Sequence, residues 1–502
     1  MSKGETNENA VMGVDQDAVS TGVERVRTTL TERPPWLYAV LVAGTALRLY
    51  GLGTESYWLD EIASLNYVLS RSLVEVIVEL PFVDRHPPLY YALLDGWISL
   101  LGTGEAPVRL LSAVFGIAAL PVMYALGARL YDRQVGVLAA GLLSVSGLHL
   151  QQSQNARMYS LLVLATLASM YWLVRLRESP DRRAGVGYLC STVVLGYTHA
   201  FGLFVVAAQN GQILTSRLLD ENGEWPIPLR RWLALQAGVG LLVLPYVAVL
   251  SRQVFALDDG GGVALGWIPE PTLSRLVFAV GRYLHPRDPL LGLAAIVLVC
   301  VFAAVGASRV PLHRENTTLL AWWFLVPVLA PFVLSYLVAP LFVARYTVAA
   351  LPALLLFLSK EIRRLGSVEF RYIGIVLLLG AAVAGLPGYY GQPQNGEWRE
   401  ATGFVAANAT EGDLVVVSDR AANDTFAFYY EGPGAVRGVQ EDANASHLNA
   451  TVRGHETVWL VSSRMESTQE ARFQRLLERR GYEGRESREY NAVDVYRYER
   501  GS

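Results

Sequence analysis

The sequence predicts an α-helical polytopic membrane protein of about eleven transmembrane helices, with a long first outer loop of interfacial helices and a small C-terminal α/β soluble domain. Three observations lead there. Of 502 residues, 52% are hydrophobic and only 17% are charged, whereas soluble domains carry about 25% charged residues. The apolar residues come in blocks of roughly twenty, the length that crosses a hydrocarbon core. From Gly391 onward the composition becomes that of a soluble domain. The two cysteines, Cys190 and Cys300, fall inside apolar runs, which argues against a disulfide framework or a cysteine metal site.

Taken in order, residues 1–33 are polar, with neither an apolar core nor a small-residue cleavage site, and read as a disordered cytoplasmic tail. Arg25, Arg27 and Arg33 place the N-terminus in the cytoplasm by the positive-inside rule. The first span, 36–53, then delivers Asp60 and Glu61 outside. Arginine-rich joints at Arg129/Arg133, Arg175 to Arg183, Arg230/Arg231, Arg309/Arg314 and Lys360 to Arg371 are expected inside. Each neighbouring pair of joints encloses two spans.

The segment PPLYYALLDGWISLLG, 87–102, would invert every later joint if it crossed. Short and interrupted by Asp95, it reads instead as an amphipathic helix in the outer interface. The first outer loop therefore covers 54–106 and the transmembrane domain 34–390. Crossings are expected near 36–53, 107–127, 134–151, 157–174, 185–200, 201–218, 232–250, 289–307, 318–338, 345–359 and 372–388. Their odd number puts the soluble part, 391–502, outside. In that part DLVVVS and TVWLVSS read as buried strands, STQEARFQRLLERRGY as an amphipathic helix and NAVDVYRY as a closing strand. Sequons at Asn408, Asn423, Asn444 and Asn449 suit an outer location.

This topology collects polar groups on one side. Asp60 and Glu61 open the first loop, and Asp84, Arg85 and His86 precede its two prolines. QQSQNARMYS contributes Arg157 and Tyr159, GYTHAFG His199, GRYLHPRD Arg282 and His285, and LFVARYT Arg345. Ionisable groups at membrane depth are costly and therefore functional candidates. Structural alternatives stand beside each. The acid pair suits a helix N-terminus, arginines snorkel, His86 fits a turn before proline, and His199 and His285 suit hydrogen-bonded positions. A partly desolvated carboxylate can accept a proton from an attacking hydroxyl. Arginines can pair with a phosphate in bidentate fashion and stabilise it as a leaving group. An activated donor outside the cell must arrive in the membrane on a lipid, so the set suggests group transfer from a lipid phosphate to a hydroxyl.

The D-E pair after span one, HPPLYY, ARMYSLL, YTH and ARYTVAALPALLLF, in this order between Trp36 and Leu358, resemble the GT-C superfamily. The closer resemblance is to its dolichyl-phosphate-mannose protein mannosyltransferase and aminoarabinose transferase branch, the glycosyltransferase 39 type. The resemblance implies a prokaryotic member, haloarchaeal if the near-absence of lysine (Lys3 and Lys360 alone) reflects a GC-rich genome. It further implies a membrane glycosyltransferase that moves mannose or a similar hexose or pentose, with inversion, from a polyprenyl- or dolichyl-phosphate. The acceptor would be a hydroxyl of a glycan, glycoprotein or glycolipid. Asp60 would be the catalytic acid-base group with Glu61 beside it, and Asp84, Arg85, His86, Arg157, Tyr159, His199, His285 and Arg345 would face the donor or its phosphate. No cofactor, essential metal or nucleic-acid partner is expected. A flippase for lipid-linked sugars and a membrane-anchored receptor with a C-terminal sensor domain are the alternatives.

Overall fold

The computed structural model describes residues 34–83, 86–220, 223–255, 268–285, 288–306, 314–417, 420–439, 450–463 and 467–501. The expected N-terminal tail, Asp84, Arg85 and the sequons at Asn444 and Asn449 lie outside the described residues.

The membrane part begins with α1 (Pro35–Leu49). The first loop then folds into α2 (Leu59–Leu69), α3 (Leu73–Val83) and α4 (Leu89–Leu101). Next come α5 (Glu105–Leu130), α6 (Arg133–Val145), α7 (Gly147–Ser153), α8 (Tyr159–Glu178), α9 (Arg182–Thr198), α10 (Gly202–Leu219) and α11 (Leu229–Phe255). The series ends with α12 (Leu273–Gly281), α13 (Pro289–Gly306), α14 (Arg314–Leu337), a 3₁₀ turn (Ala344–Ala350), α15 (Leu351–Arg364), α16 (Val368–Ala384) and α17 (Leu386–Tyr390).

Every expected crossing falls on a helix, but their lengths differ from a uniform row of spans. Among the described residues, five helices are individually long and apolar enough to cross, or six if α6 and α7 form one bent span. At about 1.5 Å per residue, the 15-residue α1 reaches only about 22 Å against a core of about 30 Å. The expected crossing at 345–359 begins instead with the 3₁₀ turn that carries Arg345. The helix expected at 87–102 forms as α4, and its 13 residues bury Tyr90, Tyr91, Leu94 and Ile98.

The expected third crossing is bent by 63° between α6 and α7. A broken helix leaves carbonyls unpartnered. Here Arg48 of α1, fully buried, donates to the carbonyls of Leu143 and Ser144 at the end of α6. Ser146 Oγ donates to the Tyr283 carbonyl on the far side of the bend. The bend matters because α7 feeds directly into the polar segment that carries Arg157.

α5 and α6 cross closely through glycine. A Cβ on Gly136 would lie 2.6 Å from the Tyr124 carbonyl oxygen and 2.9 Å from the Ala128 nitrogen. Gly136→Leu is expected to force these helices apart and cost about 1–3 kcal/mol or more, as overpacking does. A lowered thermal unfolding midpoint in detergent would show it.

The soluble part contains α18 (Trp398–Asn408), β1 (Leu414–Val417), α19 (Arg420–Tyr429), β2 (Ala435–Gly438), β3 (Thr457–Ser462), α20 (Ser467–Glu478), β4 (Tyr482–Tyr490) and β5 (Val493–Arg500). The sheet order is β2-β1-β3-β5-β4, parallel for β2-β1-β3 and antiparallel for β3-β5-β4. One face buries Trp398, Val405, Val415, Phe426 and Trp459 and packs against Leu59 of α2. The opposite face buries Leu414, Val416, Leu460, Phe473 and Tyr498.

Candidate active site

The two acids that open α2 have different surroundings. Glu61 is fully buried. Arg109 of α5 holds its carboxylate from two nitrogens, Nε to Oε1 at 2.9 Å and Nη2 to Oε2 at 2.7 Å. The Ala156 amide donates to Oε1 at 2.7 Å and the Trp58 amide to Oε2 at 2.9 Å. Glu61 therefore caps α2 and ties it to α5 and to the segment after α7. Arg109 also takes the carbonyls of Leu52, Glu55 and Ser56, fixing the exit from α1.

Asp60, one residue earlier, turns the other way and keeps its side chain about a third exposed. Its Oδ2 lies 3.3 Å from Arg345 Nη2. Arg345 also donates from Nε to Tyr159 Oη at 3.2 Å and stands over the rings of Trp58 and Tyr346.

Arg345 and Trp58 line a polar cavity of about 300 Å³ together with Arg282, Gln151, Gln152, Asn155, Gln394 and Asn395. Arg282 sits below the usual guanidinium range, through burial first and the nearby Arg345 charge second. Two arginines thus face one cavity whose lining side chains among the described residues include no acid, with Asp60 paired to Arg345 at its edge, an arrangement that favours an anion.

The linker into the soluble part closes this cavity. Glu55 accepts the amides of Gln394 and Asn395 at 2.9 and 3.1 Å. Tyr429 Oη accepts the Tyr57 amide at 2.7 Å, and Arg399 pairs with Glu105 at 2.6 Å. The soluble domain is therefore locked to the loop that carries Asp60.

Residues 85–209 match the family model described as dolichyl-phosphate-mannose-protein mannosyltransferase. ArnT from Cupriavidus metallidurans, bound to undecaprenyl phosphate, superposes with a TM-score of 0.55 at 13% identity, over 92% of this chain and 98% of that one. The apo oligosaccharyltransferase of Archaeoglobus fulgidus gives 0.56 at 13% identity, over 92% of this chain and 74% of that one. The chain therefore shares the fold of these two proteins over nearly its whole length. No curated protein sequence matches it.

Within this fold, several of the sequence-predicted residues converge. Arg157, buried, donates from Nη1 to the Asp60 carbonyl, Ser64 Oγ and Tyr91 Oη, and its Nη2 lies 3.4 Å from His86 Nε2. The His86 and His199 rings lie 5.6 Å apart, and His199 packs against Tyr159 and Tyr346. These bonds let Arg157, for which the sequence suggested a phosphate role, brace the start of α2.

His285 is engaged within its own turn, three residues beyond Arg282. Its Nδ1 accepts the Asp288 amide at 2.8 Å, closing its own turn, and its ring lies against Gly385. Asp84 and Arg85 are outside the described residues. Among the described residues, no three His, Cys, Asp or Glu side chains form a metal-binding group. Sequence reasoning did not single out Arg109 as a partner for Glu61. The signal was present in a lone arginine near the start of an apolar helix, because such a charge requires a carboxylate.

Proposed function

We propose that this protein is an integral-membrane glycosyltransferase that moves a sugar, mannose or a similar hexose or pentose, from a polyprenyl- or dolichyl-phosphate to a hydroxyl acceptor. The single observation that carries this reading is the Asp60–Arg345 ion pair at the edge of a cavity that Arg282 also lines. In the reaction, the acceptor hydroxyl gives its proton to the Asp60 carboxylate. Its oxygen bonds to the anomeric carbon from the face opposite the phosphate, inverting that centre. The bond from that carbon to the phosphate oxygen breaks, and the electron pair leaves with the lipid phosphate. Arg345 and Arg282 receive the developing charge. When the phosphate binds, Arg345 exchanges Asp60 for it, which leaves the carboxylate able to act as base. Glu61, Arg109 and Arg157 act as positioning residues. Tyr159, His86 and His199 shape the wall beside Asp60.

A second feature supports a lipid donor. Leu276, Ile296, Phe324, Leu354 and their neighbours line an almost wholly apolar groove of about 490 Å³ between α12, α13, α14 and α15. Arg282 directly follows α12, and the turn carrying Arg345 runs into α15. An isoprenoid chain in the groove would lie beside both phosphate-binding arginines. The mannose branch follows the matched family's description. The N-terminus belongs in the cytoplasm, with the site and the soluble domain on the extracytoplasmic face.

Purified protein incubated with radiolabelled polyprenyl-phosphate sugars and candidate glycan, glycoprotein and glycolipid acceptors is expected to transfer label. Absence of transfer from every lipid-phosphate donor would contradict the proposal. Arg345→Gln and Arg282→Gln are each expected to raise the donor KM about ten- to a hundredfold, since a hydrogen bond to a charged group contributes about 1.5–3 kcal/mol. The acceptor KM should change little. Steady-state kinetics with each substrate varied separates the two effects.

A further inference from the structure

We propose that the C-terminal domain carries a second binding site, a cleft built by Arg453, Arg480 and Arg500 that takes an acidic oligosaccharide bearing carboxylate or sulfate groups. The cleft measures about 610 Å³ and is lined by these three arginines with Ala450, Val452, Gly454 and Tyr482. That volume suits a small organic ligand.

Three features define its chemistry. The arginines converge from separate parts of the chain: the turn before β3, the end of α20 and the end of β5. All three are exposed, and among the described residues none has an acidic partner. The nearby acids of the sheet edge are engaged by other arginines: Glu483 and Glu499 pair with Arg485, and Glu499 also with Arg497. Three like charges in one concavity focus a positive potential, and arginine forks match carboxylate and sulfate oxygens.

The local backbone keeps the cleft open. Gly454 and Gly481 adopt left-handed conformations, φ +94° and +82°, and a Cβ at either would meet no atom within 4 Å. The Tyr482 hydroxyl is spent on the carbonyls of Val452 and His455. It fixes the wall, and the arginines supply the polar contacts.

Position argues for a soluble glycan over a membrane headgroup. The cleft borders the sheet face that buries Val452 and Tyr482, whereas the opposite face meets α2 through Leu59. The anionic character of the ligand follows from the cleft alone; its saccharide nature rests on the glycosyl-transfer reading.

The test is calorimetric and needs no turnover, so it separates failure of this site from failure of the transfer reaction. Full-length protein in nanodiscs is titrated with tetragalacturonate, neutral maltotetraose and citrate. Tetragalacturonate is expected to bind, maltotetraose not to, and citrate to bind about tenfold more weakly because it spans fewer arginines. The triple variant Arg453→Gln/Arg480→Gln/Arg500→Gln should lose about tenfold or more in tetragalacturonate affinity. Its thermal unfolding should be unchanged, because these side chains are exposed, and Asp60→Asn should bind as the wild type does. No binding of tetragalacturonate, or equal affinity in the triple variant, would overturn the site. Equal binding of maltotetraose would overturn its charge selectivity, and citrate binding as tightly as tetragalacturonate would overturn the assignment to a saccharide.

Discussion

Asp60→Asn is expected to lower kcat about a hundredfold to ten-thousandfold, the usual contribution of a general base, while the protein folds as before. The two halves of that expectation have separate physical grounds. The Asp60 carboxylate stands at the cavity edge and makes a 3.3 Å contact with Arg345. An amide in its place cannot accept the acceptor proton. The pair is also partly exposed, and such pairs contribute about 1 kcal/mol or less. The unfolding midpoint should therefore hold while turnover collapses. Donor binding should persist or tighten, because Arg345 no longer exchanges partners. Equal turnover by Asp60→Asn and wild type would remove Asp60 from the chemistry.

Arg109→Gln is expected to produce the largest stability effect. It leaves Glu61, fully buried, without the guanidinium that neutralises it. Removing one partner of a buried pair costs about 3–5 kcal/mol. The loss falls on the junction of α1, α2 and α5, so activity should disappear together with the fold of the first loop. The double variant Glu61→Gln/Arg109→Gln should be markedly less destabilised than the sum of the single changes, since a neutral pair leaves no orphaned charge. Thermal unfolding of the four proteins in one detergent completes the cycle. Additive effects would show that the two side chains do not depend on one another.

Much of the site was legible in the sequence because its cost is visible there. Asp60, His86, Arg157, Tyr159, His199 and Arg345 are polar interruptions at the ends of apolar runs, where a charge needs a reason, and the fold brings them together. The division of labour was not legible. Asp60 and Glu61 are adjacent on a helix, so they project about 100° apart. Only the position of Arg109 decides which of them is buried. The bracing contacts of Arg157 were not legible because its partners, the Asp60 carbonyl, Ser64 and Tyr91, lie 66 to 97 residues away in the chain. The contacts of His285 were not legible either, because a histidine that closes its own turn has the same sequence signature as one that faces a substrate.

The fold shows the same division. Apolar blocks located the helices, yet the bend between α6 and α7 is held by Arg48, which no periodicity within that run reveals. In the soluble part, β1, β3, β5 and α20 follow from their buried patterns. β4, YEGRESREY, escaped because it is an edge strand with exposed side chains along most of its length and so lacks apolar alternation.

The central claim is that Arg345 and Arg282 hold one lipid phosphate and that Arg345 gives up Asp60 to do so. A cryo-electron microscopy structure of the protein in nanodiscs with a polyprenyl-phosphate bound tests it most directly. The phosphorus is expected within about 4 Å of nitrogens on both Arg345 and Arg282, as charge-assisted pairing requires, with the isoprenoid chain in the groove beside Phe324 and Leu354. A phosphate seated away from both arginines, with the Asp60–Arg345 pair intact, would contradict the account.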